Sequence, residues 1–548
     1  MSVSDQRLMR SRAKLGRSMD LDRRVCDRAR RSRDARFDGR FFIGVTTTGI
    51  YCRPICPARS PKDENVRYFA TAAAAEAAGF RPCLRCRPEA SPGTPAWSGT
   101  SGIVSRALRL IDGGALRAVS WDSPAADFSA HAKGGVDTLA DRLGVTARHL
   151  RRLFEQHLGA TPLEVALTRR LHFAKKLVDE TCLPFHQVAA ASGFGSLRRF
   201  NSEIRRTYSR TPTELRRLAR RRAAADPECY RFRLAYRPPY DWDAILAFLA
   251  ARATPGVESV DLSGDRRYRR TISAGGGHGS IDVAHCESGA ALMLEVRFPD
   301  PRALLFIVER VKAMFDLGAD PAIIAEQLGG DPLLRAALAR HPGIRTPGAW
   351  DGFELAVRAI LGQQIAVRAA TTIAGRIAAM FGSPMPRGDG SERLFPTPAQ
   401  LADAAIERAG VVRARAATIR SLARAVAEGR ISFAGGSDAA AVVAALKDLP
   451  GIGAWTAEYI AMRGLGEPDA FPSGDLVLRR MAGNCTPREL DARSAAWRPW
   501  RAYAVILLWQ HARDEAESPV RKRYAHPEAR RRLHDRHGPA RAAADGVR

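Results

Sequence analysis

At 548 residues the chain is too long for one core, and three or four domains are expected. Its net charge of +28 favours a polyanionic partner, nucleic acid first among them. The hydrophobic fraction of 45% is that of globular protein, and no run approaches the roughly 18 to 20 consecutive apolar residues of a membrane span.

The opening stretch "MSVSDQRLMRSRAKLGRS" is basic but lacks the apolar segment of a secretory signal, so a cytoplasmic protein with no membrane association is expected. Residues 19–90 then form a first module. It carries Cys52 and Cys56 in "IYCRPICPARS" and, about 26 residues on, Cys83 and Cys86 in "RPCLRCRP". Five other cysteines are scattered, which is unlike a secreted disulfide framework. A C-x3-C pair followed by C-x2-C reads as a four-thiolate Zn²⁺ site of Cys52, Cys56, Cys83 and Cys86. Spacing alone leaves open whether that site is an inert clip or a reagent.

"ASPGTPAWSGTSG" has linker composition, and residues 103–222 read as helices around a loop near 113–135. Within them runs an internal repeat with a period of about 50 residues, which pairs Leu150 with Phe200 and Thr161-Pro162 with Thr211-Pro212. Each repeat shows a short helix, a glycine turn (Gly144, Gly193), a capping hydroxyl (Thr146, Ser196) and a second helix. The second helices bury Leu150 and Phe154, or Phe200 and Ile204. They expose Arg148, His149, Arg151 and Arg152, or Arg198 and Arg199, which suits a DNA major groove.

Residues 229–300 alternate like short strands and hairpins around one helix, an α+β unit. Residues 301–515 recur at helical spacing, and 516–548 form a charged tail expected to be disordered. The fold class expected is therefore multidomain and mainly α.

Three resemblances extend this reading. "FDGRFFIGVTTTGIYCRPICPAR" with "GFRPCLRCRP" resembles the N-terminal domain of the Ada family over roughly residues 22–88. The resemblance implies that Cys52 is both a zinc ligand and the nucleophile that takes a methyl group from a DNA methyl phosphotriester. Arg53, Arg59, Arg81, Arg85 and Arg87 would hold neighbouring phosphates. Methylation would remove one negative charge at the site and tighten DNA binding.

The repeat and its "A-x-x-x-G-F-G-S…T-P-T-E-L-R" string resemble the AraC family of transcription regulators. That implies promoter binding through Arg148, Arg152, Arg198 and Arg199, and contact with RNA polymerase once the sensor is methylated. Two ordinary amphipathic helix pairs are the plainer alternative.

"LKDLPGIGAWTAEYIAMRGLGEPDAFPSGDLVLRR" resembles the helix-hairpin-helix and aspartate of base-excision glycosylases. With "LAYRPPYDWDAILAFLAARA", "RAILGQQIAV" and "WRPWRAYAVILLWQ", it resembles 3-methyladenine DNA glycosylase II, the AlkA type, over roughly 230–515. The implied fold is a TBP-like α+β subdomain at 229–300 followed by an all-α glycosylase at 301–515. Asp475 would be the catalytic carboxylate, and Gly451 and Gly453 would bring backbone N–H groups to a DNA phosphate.

Trp455, Tyr459 and Trp509 would line the base pocket, Gln364 would wedge into the stack, and Trp455 stands where bifunctional lyases have lysine. Leu476 replaces an expected tyrosine. Asp469 and Asp241 read as structural. No P-C-H-R string is present, so suicide repair of methylguanine is not expected. A monomer on double-stranded DNA, both alkylated DNA and promoter sites, is the expected working form. The rival reading is a pure alkylation-responsive regulator whose C-terminal region only grips DNA.

Overall fold

The computed structural model describes residues 22–92, 102–116, 135–219, 228–286, 289–386 and 390–517. The basic N-terminus, the Ser/Gly/Pro linker, the loop near 113–135 and the tail 516–548 lie wholly or mostly outside the described residues.

The first module packs α1 (Arg23–Ser32) and α2 (Ala72–Ala77) on a small sheet. Its strands are β1 (Phe42–Val45), β2 (Ile50–Cys52), β3 (Val66–Phe69) and β4 (Arg81–Pro82), in the order β3-β1-β2-β4. Side-chain alternation sends Phe41, Ile43 and Val66 into a core with α1, and Phe42 and Tyr51 into another with α2. The topology also assembles the cysteines. β2 ends at Cys52, and β4 runs parallel beside it, so that the Cys83 N–H donates to Tyr51 O at 3.0 Å.

Among the described residues seven helices follow: α3 (Gly102–Asp112), α4 (Val136–Arg142), α5 (Ala147–Leu158), α6 (Pro162–Glu180), α7 (Phe185–Ala191), α8 (Leu197–Tyr208) and α9 (Pro212–Ala219). The expected caps are present: Thr146 and Ser196 accept from the backbone at the starts of α5 and α8. The turns before them carry Gly144 and Gly193 at positive φ. The 19-residue α6 joins the repeats and begins with a Thr161/Glu164 capping box.

A five-stranded antiparallel sheet comes next, β5 (Cys229–Ala235), β6 (Glu258–Val260), β7 (Arg267–Ala274), β8 (Gly277–Cys286) and β9 (Ala291–Arg297), in the order β5-β9-β8-β7-β6. α10 (Trp242–Ala250) and α11 (Leu304–Met314) fill its core. Packing therefore does not divide at residue 301 as the sequence suggested, because Leu304, Ile307, Val308 and Val311 bury against the sheet.

The helical body has its own core. Its elements are α12 (Pro321–Leu328), α13 (Pro332–Arg340), α14 (Gly352–Leu361), α15 (Val367–Phe381), α16 (Arg413–Ala427), α17 (Ala439–Lys447), α18 (Ala454–Gly464), α19 (Leu476–Met481), α20 (Pro487–Ser494) and α21 (Arg501–Glu517).

The modules are not beads on a string. The first helical repeat has a separate core around Leu150 and Phe154, whereas the second repeat shares one continuous core with the sheet. Leu84, between two of the clustered cysteines, packs against that shared core. Polar contacts tie the first module and the first repeat to the helical body, Arg40 Nε to Asp320 Oδ2 at 2.5 Å and Arg106 Nη1 to Asp438 Oδ2 at 3.1 Å, and α6 to the sheet, Lys176 Nζ to Arg233 O at 2.6 Å.

Candidate functional site

The four cysteine sulfurs lie within 4.8 Å of one another. A tetrahedral ion with S–metal distances near 2.3 Å needs sulfurs ~3.8 Å apart, so the donor set fits Zn²⁺. Among the described residues this is the one His/Cys/Asp/Glu cluster of that kind. Cys52 and Cys56 are half-buried and Cys86 is buried.

Arg53 corrects the sequence reading. Instead of facing DNA it is 8% exposed. Its Nε donates to Asp38 Oδ1 at 2.8 Å, and Nη1 donates to Cys86 O at 3.0 Å, while its own N–H points at the Cys86 sulfur. The arginine next to the nucleophile candidate is a strut of the metal loop. Arg87 is likewise engaged, with Asp179 at 2.7 Å and with Glu89. Arg59, Arg81 and Arg85 are exposed, as a phosphate contact requires.

Sequence reasoning missed a link from this site to the helices. The buried Tyr51 hydroxyl, one residue before Cys52, donates to Glu76 Oε1 at 2.8 Å and lies 3.0 Å from His172 Nε2 on α6. Thr168 on α6 donates to the other Glu76 oxygen at 2.6 Å. No local signal marks partners so far apart in the chain.

On the paired helices, Arg148, Arg151, Arg152, Arg198 and Arg199 are exposed, and Leu150, Phe154, Phe200 and Ile204 are buried. Each second helix therefore presents a basic outer face.

In the C-terminal half a cavity of about 620 Å³ is lined by α10, α14, α15, α18, α19 and α21, large enough for a purine. It gathers Trp455, Tyr459, Asp475 and Trp509. Asp475 is 8% exposed and begins α19, where its Oδ1 accepts from the Val477 and Leu478 N–H groups at 2.9 and 3.0 Å. The same carboxylate accepts from both pocket indoles, Trp455 Nε1 at 2.9 Å and Trp509 Nε1 at 3.2 Å. It is a helix cap and a pocket wall at once.

Trp455 stacks on Tyr459 with ring centroids 5.3 Å apart. Three arginines, not anticipated from the sequence, surround the buried Tyr459. Arg463 Nη1 donates to its hydroxyl at 2.8 Å, and Arg252 and Arg358 line the same cavity. Burial pushes the phenol up, but Arg463, Arg252 and Arg358 outweigh it and bring it down to about 8. Above that pH the pocket gains a negative charge, which attracts a cationic base. Excision of a cationic base should rise as pH passes through 8, and Tyr459→Phe should flatten that rise in a pH–rate profile.

Gln364 is exposed and holds a left-handed φ of 55°. Its neighbour fixes the loop: Gln363 Nε2 donates to Gly451 O at 2.9 Å and to Thr456 Oγ1 at 3.0 Å. Gly451 sits at φ 88°, and a Cβ there would meet Thr418 Oγ1 at 2.2 Å, whereas Gly453 caps α18 with open space around it. Gly451→Ala should lower stability by about 2 kcal/mol or more in denaturant titration. Gly453→Ala should leave stability unchanged, and, if the helix start meets a DNA phosphate as the sequence suggests, should weaken binding to duplex DNA. Asp469 pairs with Arg498 and Arg501, and Asp241 caps α10.

Family models match the chain in four segments: the metal binding domain of Ada at 25–89, a helix-turn-helix domain at 139–218, the AlkA N-terminal domain at 231–351, and the HhH-GPD superfamily base excision DNA repair protein at 357–495. The AlkA N-terminal segment spans both the sheet and α11, in agreement with the packing. The probable bifunctional transcriptional activator/DNA repair enzyme AlkA of Mycobacterium tuberculosis is 42% identical over 492 residues, 88% of this chain and 95% of that one. DNA-3-methyladenine glycosylase 2 of Escherichia coli is 34% identical over 282 residues, 51% of this chain and 96% of its own. The Ada activator/repair enzyme of Escherichia coli is 37% identical over 131 residues, 24% of this chain and 31% of its own. A zinc-type thiolate cluster, two basic helix-turn-helix faces and an aspartate-walled pocket thus occur in one chain, which belongs to the family of bifunctional transcriptional activators and DNA-repair glycosylases that join Ada-type and AlkA-type parts.

Proposed function

We propose that this protein detects methylated DNA through Cys52, activates transcription through its paired helices, and excises alkylated bases such as 3-methyladenine with Asp475. Cys52, Cys56, Cys83 and Cys86 would hold the zinc. When bound, that ion keeps the sulfurs deprotonated and so supplies a thiolate at neutral pH.

The Cys52 sulfur attacks the methyl carbon of a methyl phosphotriester. The carbon–oxygen bond breaks, its electron pair stays on the phosphate as a diester anion, and Cys52 becomes a thioether. One backbone N–H, that of Arg53, donates to the Cys86 sulfur at 3.3 Å. Such donors withdraw electron density and blunt nucleophilicity. Cys52 is half-buried rather than buried, and the match of residues 25–89 to the metal binding domain of Ada supports it as the methyl acceptor.

In the pocket, the base leaves with the glycosidic electron pair, and positive charge develops on the deoxyribose. The Asp475 carboxylate stabilises that charge and orients the water that adds to the sugar carbon. Trp455 offers no amine for a Schiff base, so the product is an abasic site in an uncut strand. The methylated form would contact RNA polymerase, and the working unit would be a monomer.

The observation that carries the repair reading is the Asp475 carboxylate held by two indole donors in a purine-sized cavity. The deciding assay incubates the full chain with methylated duplex and measures released base beside strand scission. Base release without scission supports this reading. Scission without added base would overturn the hydrolase assignment. No release would favour a regulator that only grips DNA.

A further inference from the structure

Two of the helices that line the base cavity come from distant parts of the chain. α10 and its flanking residues contribute Asp241, Phe248 and Arg252, and α21 contributes Trp509, Gln510 and Arg513. A single side chain bridges them. His341, at the end of α13, places Nδ1 3.2 Å from Asp241 Oδ2 and Nε2 2.7 Å from Asp514 Oδ2.

Both contacts are built into their helices. Asp241 is the N-cap of α10, and its other oxygen accepts from the Ala244 N–H at 3.0 Å. Asp514 stands five residues beyond Trp509, and its other oxygen accepts from Gln510 at 3.2 Å. Around the bridge, Arg340 lies 3.5 Å from His511, and His511 lies 3.6 Å from Glu515. The imidazole is 13% exposed, so water competes weakly for either bond.

We infer that His341 is a positioning residue for base excision, a clamp that fixes the width of the pocket by tying the α10 wall to the Trp509-bearing α21 wall. This rests on the pocket being the site of excision. A flipped base must be held to within a fraction of an ångström of the Asp475 carboxylate, and misplacement of about 1 Å can cost a hundredfold in rate. His341 reaches no reacting atom. It acts through where Trp509 and Phe248 stand.

The test compares full-length wild type, His341→Leu and His341→Arg in single-turnover excision of 3-methyladenine from methylated duplex, with affinity for undamaged duplex measured alongside. Leucine fills the space without donating, and arginine can donate to both carboxylates. The clamp predicts a roughly tenfold or greater fall in rate for His341→Leu, substantial recovery in His341→Arg, and unchanged affinity for undamaged DNA in both.

A His341→Leu rate equal to wild type would overturn it. So would His341→Arg being as slow as His341→Leu, since packing alone would then explain the loss. If wild type itself released no base, the excision reading would fail separately. Amide exchange then decides the clamp: α10 and α21 should lose protection in His341→Leu and keep it in His341→Arg, and equal protection in both would overturn it.

Discussion

Asp475→Asn is expected to slow base excision by at least roughly 100- to 1000-fold while sparing the fold and operator binding. The geometry gives the size of the effect. Asparagine can keep its oxygen at the Oδ1 position, where the Val477 and Leu478 N–H groups and the Trp509 indole converge, so α19 remains capped. Its NH2 group then stands where Oδ2 accepted from Trp455, and two donors meet. One unpaired polar group in a closed pocket costs about 1 to 3 kcal/mol. The larger loss is the anion opposite a developing sugar cation. Electrostatic groups of this kind are worth roughly 100- to 1000-fold in rate. Single-turnover base release should therefore fall by at least that factor, and gel-shift affinity for promoter DNA should hold. A variant that still released base at the wild-type rate would move catalysis away from Asp475.

Much of this site is legible in the sequence because its parts are local. The cysteine spacings place two sulfurs on each of two turns, and the hydroxyls before α5 and α8 cap their own helices. Asp475 and Trp455 are 20 residues apart across one turn of chain. The parts that escaped are those whose meaning depends on a remote partner. Arg53 reads as a phosphate ligand until the fold brings Asp38 to it. His341 is unremarkable until Asp241 and Asp514, 100 and 173 residues away, are seen on either side. The second helical repeat carries the same outward pattern as the first. Only tertiary packing shows that one repeat has a private core and the other is fused to the sheet of the repair half. Periodicity reports which face of an element is apolar and is silent about what covers it.

That fusion gives the sensing half its strongest test. Exposure to methyl phosphotriester DNA should add one methyl group to the peptide containing Cys52, and none to those containing Cys56, Cys83 or Cys86 after mass analysis of the digested protein. Cys52→Ser should take up none, with bound zinc measured in parallel so that loss of the metal is not mistaken for loss of the nucleophile. The methylated chain should bind its operator more tightly, because one negative charge near the phosphates has gone. At a separation of about 10 Å and an effective dielectric of about 20, that charge is worth about 1.7 kcal/mol, and a Debye length of about 10 Å reduces it to about 0.6. The expected gain is therefore roughly threefold to fifteenfold, shrinking as salt is raised. A gain that did not depend on salt would point instead to movement of the Tyr51, Glu76 and His172 contacts beside the site, which connect the metal module to α6. Methyl uptake at Cys56 in place of Cys52 would overturn the assignment, because both sulfurs are half-buried and the reacting one would then be the second cysteine of the first pair.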